Sequence, residues 1–146
     1  MELKALHQLF LNSKSVITDT RKIEKNSLFF ALRGERFDAN TFAKEALAKG
    51  ASFVVIDNKD YYINEQTILV ESTLKTLQDL ARFHRNYLKI PIIALTGSNG
   101  KTTTKELINA VLSEKHNVKD TVGNLNNHIG VPLTLLSFEK STEIGI

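Results

Sequence analysis

Cysteine is absent from the 146-residue sequence, and so is any long apolar run. Without cysteine the chain forms no disulfide and carries no thiolate chemistry, and nothing indicates an oxidising compartment. The longest apolar stretches, residues 53–56 and 90–95, are far shorter than the roughly 20 residues of a membrane-spanning helix. The amino terminus also lacks the charged-then-apolar pattern of a secretory signal. We therefore expect a cytoplasmic protein that is not inserted in a membrane.

The charge of the chain is nearly balanced. There are 19 lysine and arginine residues against 16 aspartate and glutamate residues, which gives a net charge of +3. No basic run of five or more residues is present, so the sequence indicates no nucleic-acid-binding tail. Hydrophobic residues make up 42% of the chain and charged residues 24%, which is typical of a folded globular protein. The length suits one ordinary domain or two small ones.

The first half of the chain has the pattern of a parallel strand–helix–strand unit. Residues 28–32 and 53–56 are continuous apolar runs, which predict strands buried on both faces. Between them, an apolar stripe predicts a helix over residues 40–49, with Asn40 as its amino-terminal cap. The two strands should therefore be parallel neighbours joined by this helix. The pattern also predicts strands at 15–18 and 68–70 and a helix capped by Ser72 that ends near Lys89.

The second half begins with an apolar segment, residues 91–96, which predicts a strand with proline at its start. A glycine-containing turn at 97–100 precedes a helix with an apolar stripe, and a short helix is predicted at 130–138. Residues 143–146 resemble the start of another strand, so we expect the natural protein to continue beyond them. The whole pattern predicts an α/β protein in two parts.

The strongest chemical signal is the segment 96–104, which reads TGSNGKTTT. Its two glycines allow the backbone to wrap around a polyphosphate with successive N–H groups pointing inward, and the following helix adds the positive end of its dipole. Lys101 supplies a positive charge for the β- and γ-phosphates, and the Thr102 hydroxyl is a ligand for Mg²⁺. The alternative is a glycine-rich turn with a solvated lysine. The predicted ATP-binding residues are Gly97, Ser98, Asn99, Gly100, Lys101, Thr102 and Thr103, of which Lys101 and Thr102 are also the predicted catalytic residues.

This segment resembles the nucleotide loop of the Mur ligase family, which also includes folylpolyglutamate synthetases. It has the short G-x-x-G-K-T form, because Leu95 stands where the longer consensus has its first glycine. A second segment, residues 123–136, is similar to the branch of the family that adds D-alanyl-D-alanine to UDP-MurNAc-tripeptide. Its amides Asn126 and Asn127 are neutral donors and acceptors for a peptide carboxylate or a phosphate. Alternatively, the segment is simply rich in turn-forming residues.

A third match lies in the first half, at residues 18–21 and 28–40. It is similar to the amino-terminal UDP-binding domain of the tripeptide- and tetrapeptide-adding Mur ligases. Hydroxyl and arginine donors suit a uracil or pyrophosphate oxygen. The alternative is that Asp19 and Arg21 form a surface ion pair that contributes little. The resemblance places the UDP-sugar contacts at Thr18, Thr20 and Arg21 and at the loop Gly34, Glu35, Arg36 and Phe37.

Taken together, the resemblance implies a small amino-terminal α/β UDP-binding domain, residues 1–88, followed by the start of a P-loop-type parallel α/β ATPase domain, residues 91–146. It implies an ATP-dependent ligase that adds D-alanyl-D-alanine to UDP-MurNAc-tripeptide through an acyl phosphate, with ATP and Mg²⁺. The partners are then small molecules, without nucleic acid or membrane. The 146 residues alone are expected to bind substrate without catalysing ligation.

Two alternatives remain open from the sequence. One is a sibling ligase of the same family that adds a single amino acid, and the other is a nucleotide- or UDP-sugar-binding module without catalysis. The four histidines, which are far apart in the sequence, do not have the spacing of metal ligands, so structural roles are favoured for them.

Overall fold

The computed structural model describes residues 2–123 and 125–146, and it confirms an α/β fold built on parallel strands. The chain divides into two compact units between Phe83 and His84. None of the helices formed by the described residues is both long enough and apolar enough to cross a membrane.

The first unit is organised around a four-stranded parallel sheet, in the order β1 (Ser15–Ile17), β2 (Ser27–Phe30), β5 (Phe53–Ile56) and β6 (Thr67–Leu69). Residues 28–30 of β2 pair in parallel with residues 53–55 of β5, which confirms the predicted neighbours. The elements in chain order are α1 (Leu3–Leu11), β1 (Ser15–Ile17), β2 (Ser27–Phe30), β3 (Arg33–Gly34), β4 (Phe37–Asp38), α2 (Ala43–Ala48), β5 (Phe53–Ile56), β6 (Thr67–Leu69) and α3 (Thr73–Leu88).

The two central strands are buried on both faces, as their unbroken apolar runs predict. Phe29, Val54 and Ile56 pack with Ala43 and Ala46 of α2 in one cluster. Because successive side chains of a strand alternate, Leu28, Phe30 and Val55 point to the opposite face, and they too are inaccessible to solvent. Each such side chain contributes about 1.5–3 kcal/mol relative to an exposed position. This core holds the carboxyl ends of β1, β2, β5 and β6 along one edge.

The first helix, α1, was not expected from the sequence. Leu6, His7 and Phe10 form its buried face, and the ring of His7 lies 4.8 Å from that of Phe83 on α3. The spacing of Leu3, Leu6, His7 and Phe10 follows one face of a helix, so the signal for α1 was present.

Asn40 is not the helix cap that the sequence predicts. The predicted helix begins instead as a 3₁₀ turn, Ala39–Phe42, and the carboxylate of Asp38 caps that turn by accepting from the Asn40 amide. The side chain of Asn40 is fully buried and donates to Asp38 and to Asp57. Asp38 lies immediately before the turn, and its carboxylate takes the place of the cap. The side chain of Asn40 is therefore not needed as a cap and points into the interior.

The second unit contains α4 (Lys101–Ser113), β7 (Val118–Lys119), α5 (Gly130–Ser137) and β8 (Ile144–Gly145), and β7 pairs in parallel with β8. The strand predicted at residues 91–96 is wrong for most of its length. Only Ile92 forms a bridge, parallel to Gly145, and the Ile93 amide donates to the Gly145 carbonyl over 2.8 Å. Since β8 contributes only two residues, the ladder ends there and residues 94–96 form no strand pairing.

Phe138, directly after α5, contacts Gly145 of β8 and His84. Its ring lies against Gly145, where an added Cβ would come within 2.5 Å of the ring carbon Cε2. Its carbonyl oxygen lies 2.9 Å from Nε2 of His84, which is itself buried. A side chain at position 145 would therefore displace the phenyl ring or separate it from β8.

Candidate functional site

The phosphate-loop segment joins residues 91–96 to α4. Gly97 has a φ of 147°, and Gly100, which immediately precedes the helix, has a φ of 78°. Residues with a Cβ rarely adopt these values, so the course of the loop depends on the two glycines. Ser98 and Asn99 form the exposed bend between them.

The first turn of α4 carries Lys101, Thr102 and Thr103. The first hydrogen bond of the helix runs from the Thr104 amide to the Gly100 carbonyl over 2.9 Å, so the amides of residues 101–103 point out of the positive end of the helix. The Lys101 ammonium bends back and donates to the Gly97 carbonyl. Helix amides and an ammonium group at one glycine loop form the arrangement that binds anions.

A cleft of about 250 Å³ opens beside this turn in the second unit. It is lined by Lys101 and Thr102, by the apolar residues 92–95 and by Asn126. The structure therefore brings one of the two predicted peptide-binding amides into the same cleft as the phosphate loop. The other, Asn127, uses its side-chain oxygen to accept from the amides of Ile129 and Gly130 at 3.0 and 2.7 Å, and so caps α5.

The polar groups of this cleft suit a triphosphate better than a free metal ion. Among the described residues, its lining includes Lys101 and Lys105 but no aspartate or glutamate side chain. Asp120 pairs with Lys105, so Lys101 is the lysine that supplies positive charge for an anion. Over all the described residues, no group of three or more histidine, aspartate or glutamate side chains could hold a metal. The Thr102 hydroxyl fits the role of one oxygen ligand to Mg²⁺ and does not form a complete site.

The predicted UDP contacts of the first unit lie at the carboxyl ends of two adjacent strands. Thr18, Thr20 and Arg21 follow β1, and residues 34–37 form the hairpin of β3 and β4 after β2. Because β1 and β2 are parallel neighbours, both segments leave the sheet at the same edge, which is where ligands bind in open α/β sheets.

Arg21 forms a bidentate ion pair with Asp19 in this structure. Its Nε and Nη2 donate to the two carboxylate oxygens over 2.9 and 2.7 Å, and its backbone amide donates over 3.0 Å. The hydrogen bonds from the Arg21 side chain hold the pKa of Asp19 well below its usual range. Both groups are therefore charged at neutral pH, and the exposed guanidinium retains donors for an anion.

The hairpin is anchored to the sheet through Arg33. Its guanidinium lies 3.6 Å from the carboxylate of Asp38 and 3.9 Å from that of Asp57. On β4, Phe37 is 54% exposed and stacks on Phe42 with ring centroids 5.7 Å apart. A larger cleft of about 950 Å³ in this unit is lined by Arg33, Asp57 and Lys75. Among the described residues, none of the predicted UDP contacts lines it.

Sequence reasoning missed two groups at these sites. Lys105 lines the cleft beside the phosphate loop, and its position four residues after Lys101 on a helix was a usable signal. Asp57 directly follows the buried strand β5, at the edge of the sheet where functional groups collect.

Two family descriptions match the chain. The one named "Mur ligase family, catalytic domain" matches residues 13–85, and the one named "Mur ligase middle domain" matches residues 95–146.

Among curated proteins, the UDP-N-acetylmuramoyl-tripeptide--D-alanyl-D-alanine ligase of Bacillus subtilis (strain 168) is 47% identical over 133 residues, which is 90% of this chain and 29% of that protein. The ligase of the same name from Escherichia coli (strain K12) is 45% identical over 84% of this chain and 27% of that protein. The chain thus spans less than a third of the length of these relatives.

Solved structures give the same result for the fold. A crystal structure of MurF from Acinetobacter baumannii matches 98% of this chain and 34% of its own, with a TM-score of 0.83 and 33% identity. The structure of MurF ligase from Thermotoga maritima in complex with ADP matches 93% of this chain and 31% of its own, with a TM-score of 0.81 and 35% identity.

Proposed function

The chain belongs to the Mur ligase family, and from that premise we propose that it is the amino-terminal part of a ligase that adds D-alanyl-D-alanine to UDP-MurNAc-tripeptide in peptidoglycan synthesis. The observation that carries this proposal is the phosphate loop, in which Gly97 and Gly100 lead into the positive end of α4. Asn126 lines the same cleft, which supports a peptide substrate there. The proposed reaction uses cytoplasmic small molecules.

Residues 91–146 are the proposed beginning of the ATP-binding domain. The amides of residues 101–103 and the Lys101 ammonium would hold the β- and γ-phosphates, because they combine the helix dipole with a positive charge beside the loop. The Thr102 hydroxyl would be one ligand of Mg²⁺, which neutralises phosphate charge when it is bound.

Residues 1–88 are the proposed UDP-sugar-binding domain. The Arg21 guanidinium and the hydroxyls of Thr18 and Thr20 would donate to uracil or pyrophosphate oxygens at the edge of the sheet. The hairpin, with Glu35, Arg36 and the exposed ring of Phe37, would close the other side of the same ligand.

The proposed chemistry proceeds in two steps. A carboxylate oxygen of the tripeptide attacks the γ-phosphorus of ATP, the bond to the bridging oxygen breaks, and ADP leaves. The amine of D-alanyl-D-alanine then attacks the carbonyl carbon of the acyl phosphate, and the bond from that carbon to the phosphate oxygen breaks. Inorganic phosphate leaves and the nitrogen releases one proton as the amide bond forms. In the first step negative charge moves towards the bridging oxygen and stays spread over the γ-phosphoryl oxygens, and the Lys101 ammonium and helix amides stabilise charge at those positions.

The test is phosphate release by the full-length natural protein with ATP and UDP-MurNAc-tripeptide. Release that depends on D-alanyl-D-alanine supports the proposal, whereas release that depends on a single amino acid identifies a sibling ligase. Binding of the UDP-sugar without phosphate release identifies a binding module. The 146-residue chain assayed alongside should bind the UDP-sugar and release no phosphate.

A further inference from the structure

Lys105 is the second lysine of the cleft, and its ammonium is already engaged by protein groups. Its Nζ lies 3.0 Å from a carboxylate oxygen of Asp120 and donates to the carbonyl oxygen of Thr121 over 2.6 Å. Only 15% of the lysine side chain and 25% of the aspartate side chain are exposed. We call this set of contacts the Lys105 bridge.

The bridge joins the phosphate-loop helix to the neighbouring strand. Lys105 lies one turn after Lys101 on α4, and Asp120 and Thr121 directly follow β7. Thr121 is held from its other side as well, because its amide donates to the Ile146 carbonyl over 3.0 Å. The start of the segment that leads to Asn126 is therefore tied both to the nucleotide helix and to the residue after β8.

The contacts of Lys105 argue against a direct contact with phosphate. Asp120 balances its charge at 3.0 Å, so moving the ammonium to an anion would leave that half-buried carboxylate without its partner. Breaking such a pair is costly because the remaining charge is poorly solvated. Lys101, by contrast, bonds only to a backbone carbonyl of its own loop among the contacts that the structure gives it.

On the basis of the function proposed above, we propose that Lys105 is a positioning residue for the peptide substrate. The Lys105 bridge sets the place of Thr121, which lines the cleft together with Asn126, relative to the phosphate loop. In-line transfer requires the acceptor carboxylate to stand close to the γ-phosphorus, and a displacement of about 1 Å costs on the order of 100-fold in rate. The bridge thus fixes the distance between the two substrates without touching either.

The test uses the full-length natural protein with Lys105→Met, which keeps the length of the side chain and removes its charge and donors. We expect kcat to fall by about 100-fold and the KM for UDP-MurNAc-tripeptide to rise by about tenfold, because both depend on where the tripeptide side of the cleft lies, while the KM for ATP stays within about twofold. Lys105→Arg, which can still donate to both oxygens, should recover most of the effect. Lys115→Met, on an exposed lysine just after α4, is the matched control and should leave both KM values unchanged.

Asp120→Asn separates the bridge from other uses of Lys105. If the two side chains act together, adding Asp120→Asn to Lys105→Met should change the KM for the tripeptide by less than about twofold further, because coupled residues are not additive. Hydrogen exchange of the Thr121 amide should become faster in Lys105→Met, since one anchor of that residue is lost.

Three results would overturn the inference. The first is an unchanged KM for the tripeptide in Lys105→Met. The second is a rise in the KM for ATP alone, which would indicate a nucleotide contact. The third is an equal rise in both KM values, which would indicate general loss of structure. Absence of ligase activity in the unsubstituted protein would overturn the proposed function. It would also overturn the claim that Lys105 positions the tripeptide. Unchanged exchange at Thr121 with ligase activity intact would overturn the bridge alone.

Discussion

Asn40 and Asp57 exchange two hydrogen bonds across the first unit. The Asn40 side-chain amide donates to Asp57 Oδ1 over 2.9 Å, and the Asp57 backbone amide donates to Asn40 Oδ1 over 3.0 Å. The other carboxylate oxygen of Asp57 accepts from the amide and hydroxyl of Thr73 at the start of α3, at 3.1 and 3.0 Å. This pair therefore joins the turn after the hairpin, the end of β5 and the start of α3.

Replacing Asn40 by leucine should destabilise the first unit strongly. The change leaves the Asp57 amide without its partner and removes a donor from a carboxylate whose side chain is 9% exposed. We expect the free energy of unfolding to fall by about 2–4 kcal/mol, as for other broken buried networks. Urea unfolding measures it, with Asn12→Ala on an exposed residue as the control. A loss below about 1 kcal/mol would contradict the role assigned to this pair.

Removing the charge of Lys101 should slow ligation strongly. In Lys101→Ala the helix amides remain, but the ammonium beside Gly97 is lost. We expect kcat to fall by at least about 100-fold, because such electrostatic groups contribute about 2.7–4 kcal/mol to the transition state. Steady-state kinetics of the full-length protein measures this, with Lys115→Ala as the control. A near-normal kcat would remove Lys101 from the proposed mechanism.

Position 100 should tolerate asparagine better than alanine. An added Cβ meets nothing within 4 Å there, so the cost comes from the φ of 78° alone. Alanine in this conformation costs about 1–2 kcal/mol, whereas asparagine adopts it more readily. Isothermal titration with ATP should therefore show weaker binding by Gly100→Ala than by Gly100→Asn. Equal affinities of the two variants would mean that backbone conformation does not limit the loop.

Arg21→Met should weaken binding of the UDP-sugar. Loss of a hydrogen bond from a charged group costs about 1.5–3 kcal/mol, so we expect a rise of at least about tenfold in the KM for UDP-MurNAc-tripeptide. The KM for ATP should not change. Lys22→Met removes an equal charge from the next exposed residue, and its KM values should match those of the unsubstituted protein. If the two substitutions raise the KM for the tripeptide equally, the effect comes from the overall positive charge of this surface and not from a contact between Arg21 and the UDP-sugar.

His84 should make the second unit less stable in mild acid. Burial holds the pKa of this imidazole below its ordinary value of 6.5, against the opposing effect of the hydrogen bond to Phe138. The unfolded state therefore takes up a proton first as the pH falls. The stabilisation is fully present above about pH 6.5 and is lost as the pH falls towards the lower pKa of the folded state. Thermal unfolding at pH 7.5 and 5.5 should show a smaller difference in His84→Gln than in the unsubstituted protein.

The elements that could be predicted from sequence are those in which one local signal dominates. The apolar runs at β2 and β5 could only be strands buried on both faces, and the glycines before Lys101 required a turn that opens a helix. The strand at 91–96 failed because pairing depends on a neighbour, and β8 provides two residues for it. No pattern within a segment encodes the length of its partner.

The candidate sites divide in the same way. The phosphate loop is continuous in sequence, so its residues were identified together, although their ligand contacts stay a prediction. The sequence predicts Asn40 as a cap, but Asp38, two residues earlier, is also a strong cap residue and takes that role in the structure. Lys105 and Asp120 lie 15 residues apart and meet only because α4 and β7 pack side by side. Contacts of that kind become visible only in three dimensions.

The contact between Phe138 and Gly145 has a consequence for how this protein can change over evolutionary time. Because a Cβ at position 145 would come within 2.5 Å of the ring, alanine becomes acceptable there only after the ring has shrunk or moved. Positions 138 and 145 should therefore covary. A homologue with a smaller residue at 138 can carry a side chain at 145, and one that keeps phenylalanine at 138 should keep glycine at 145. The order of the two substitutions is fixed as well, since the intermediate with both side chains present is the strained one.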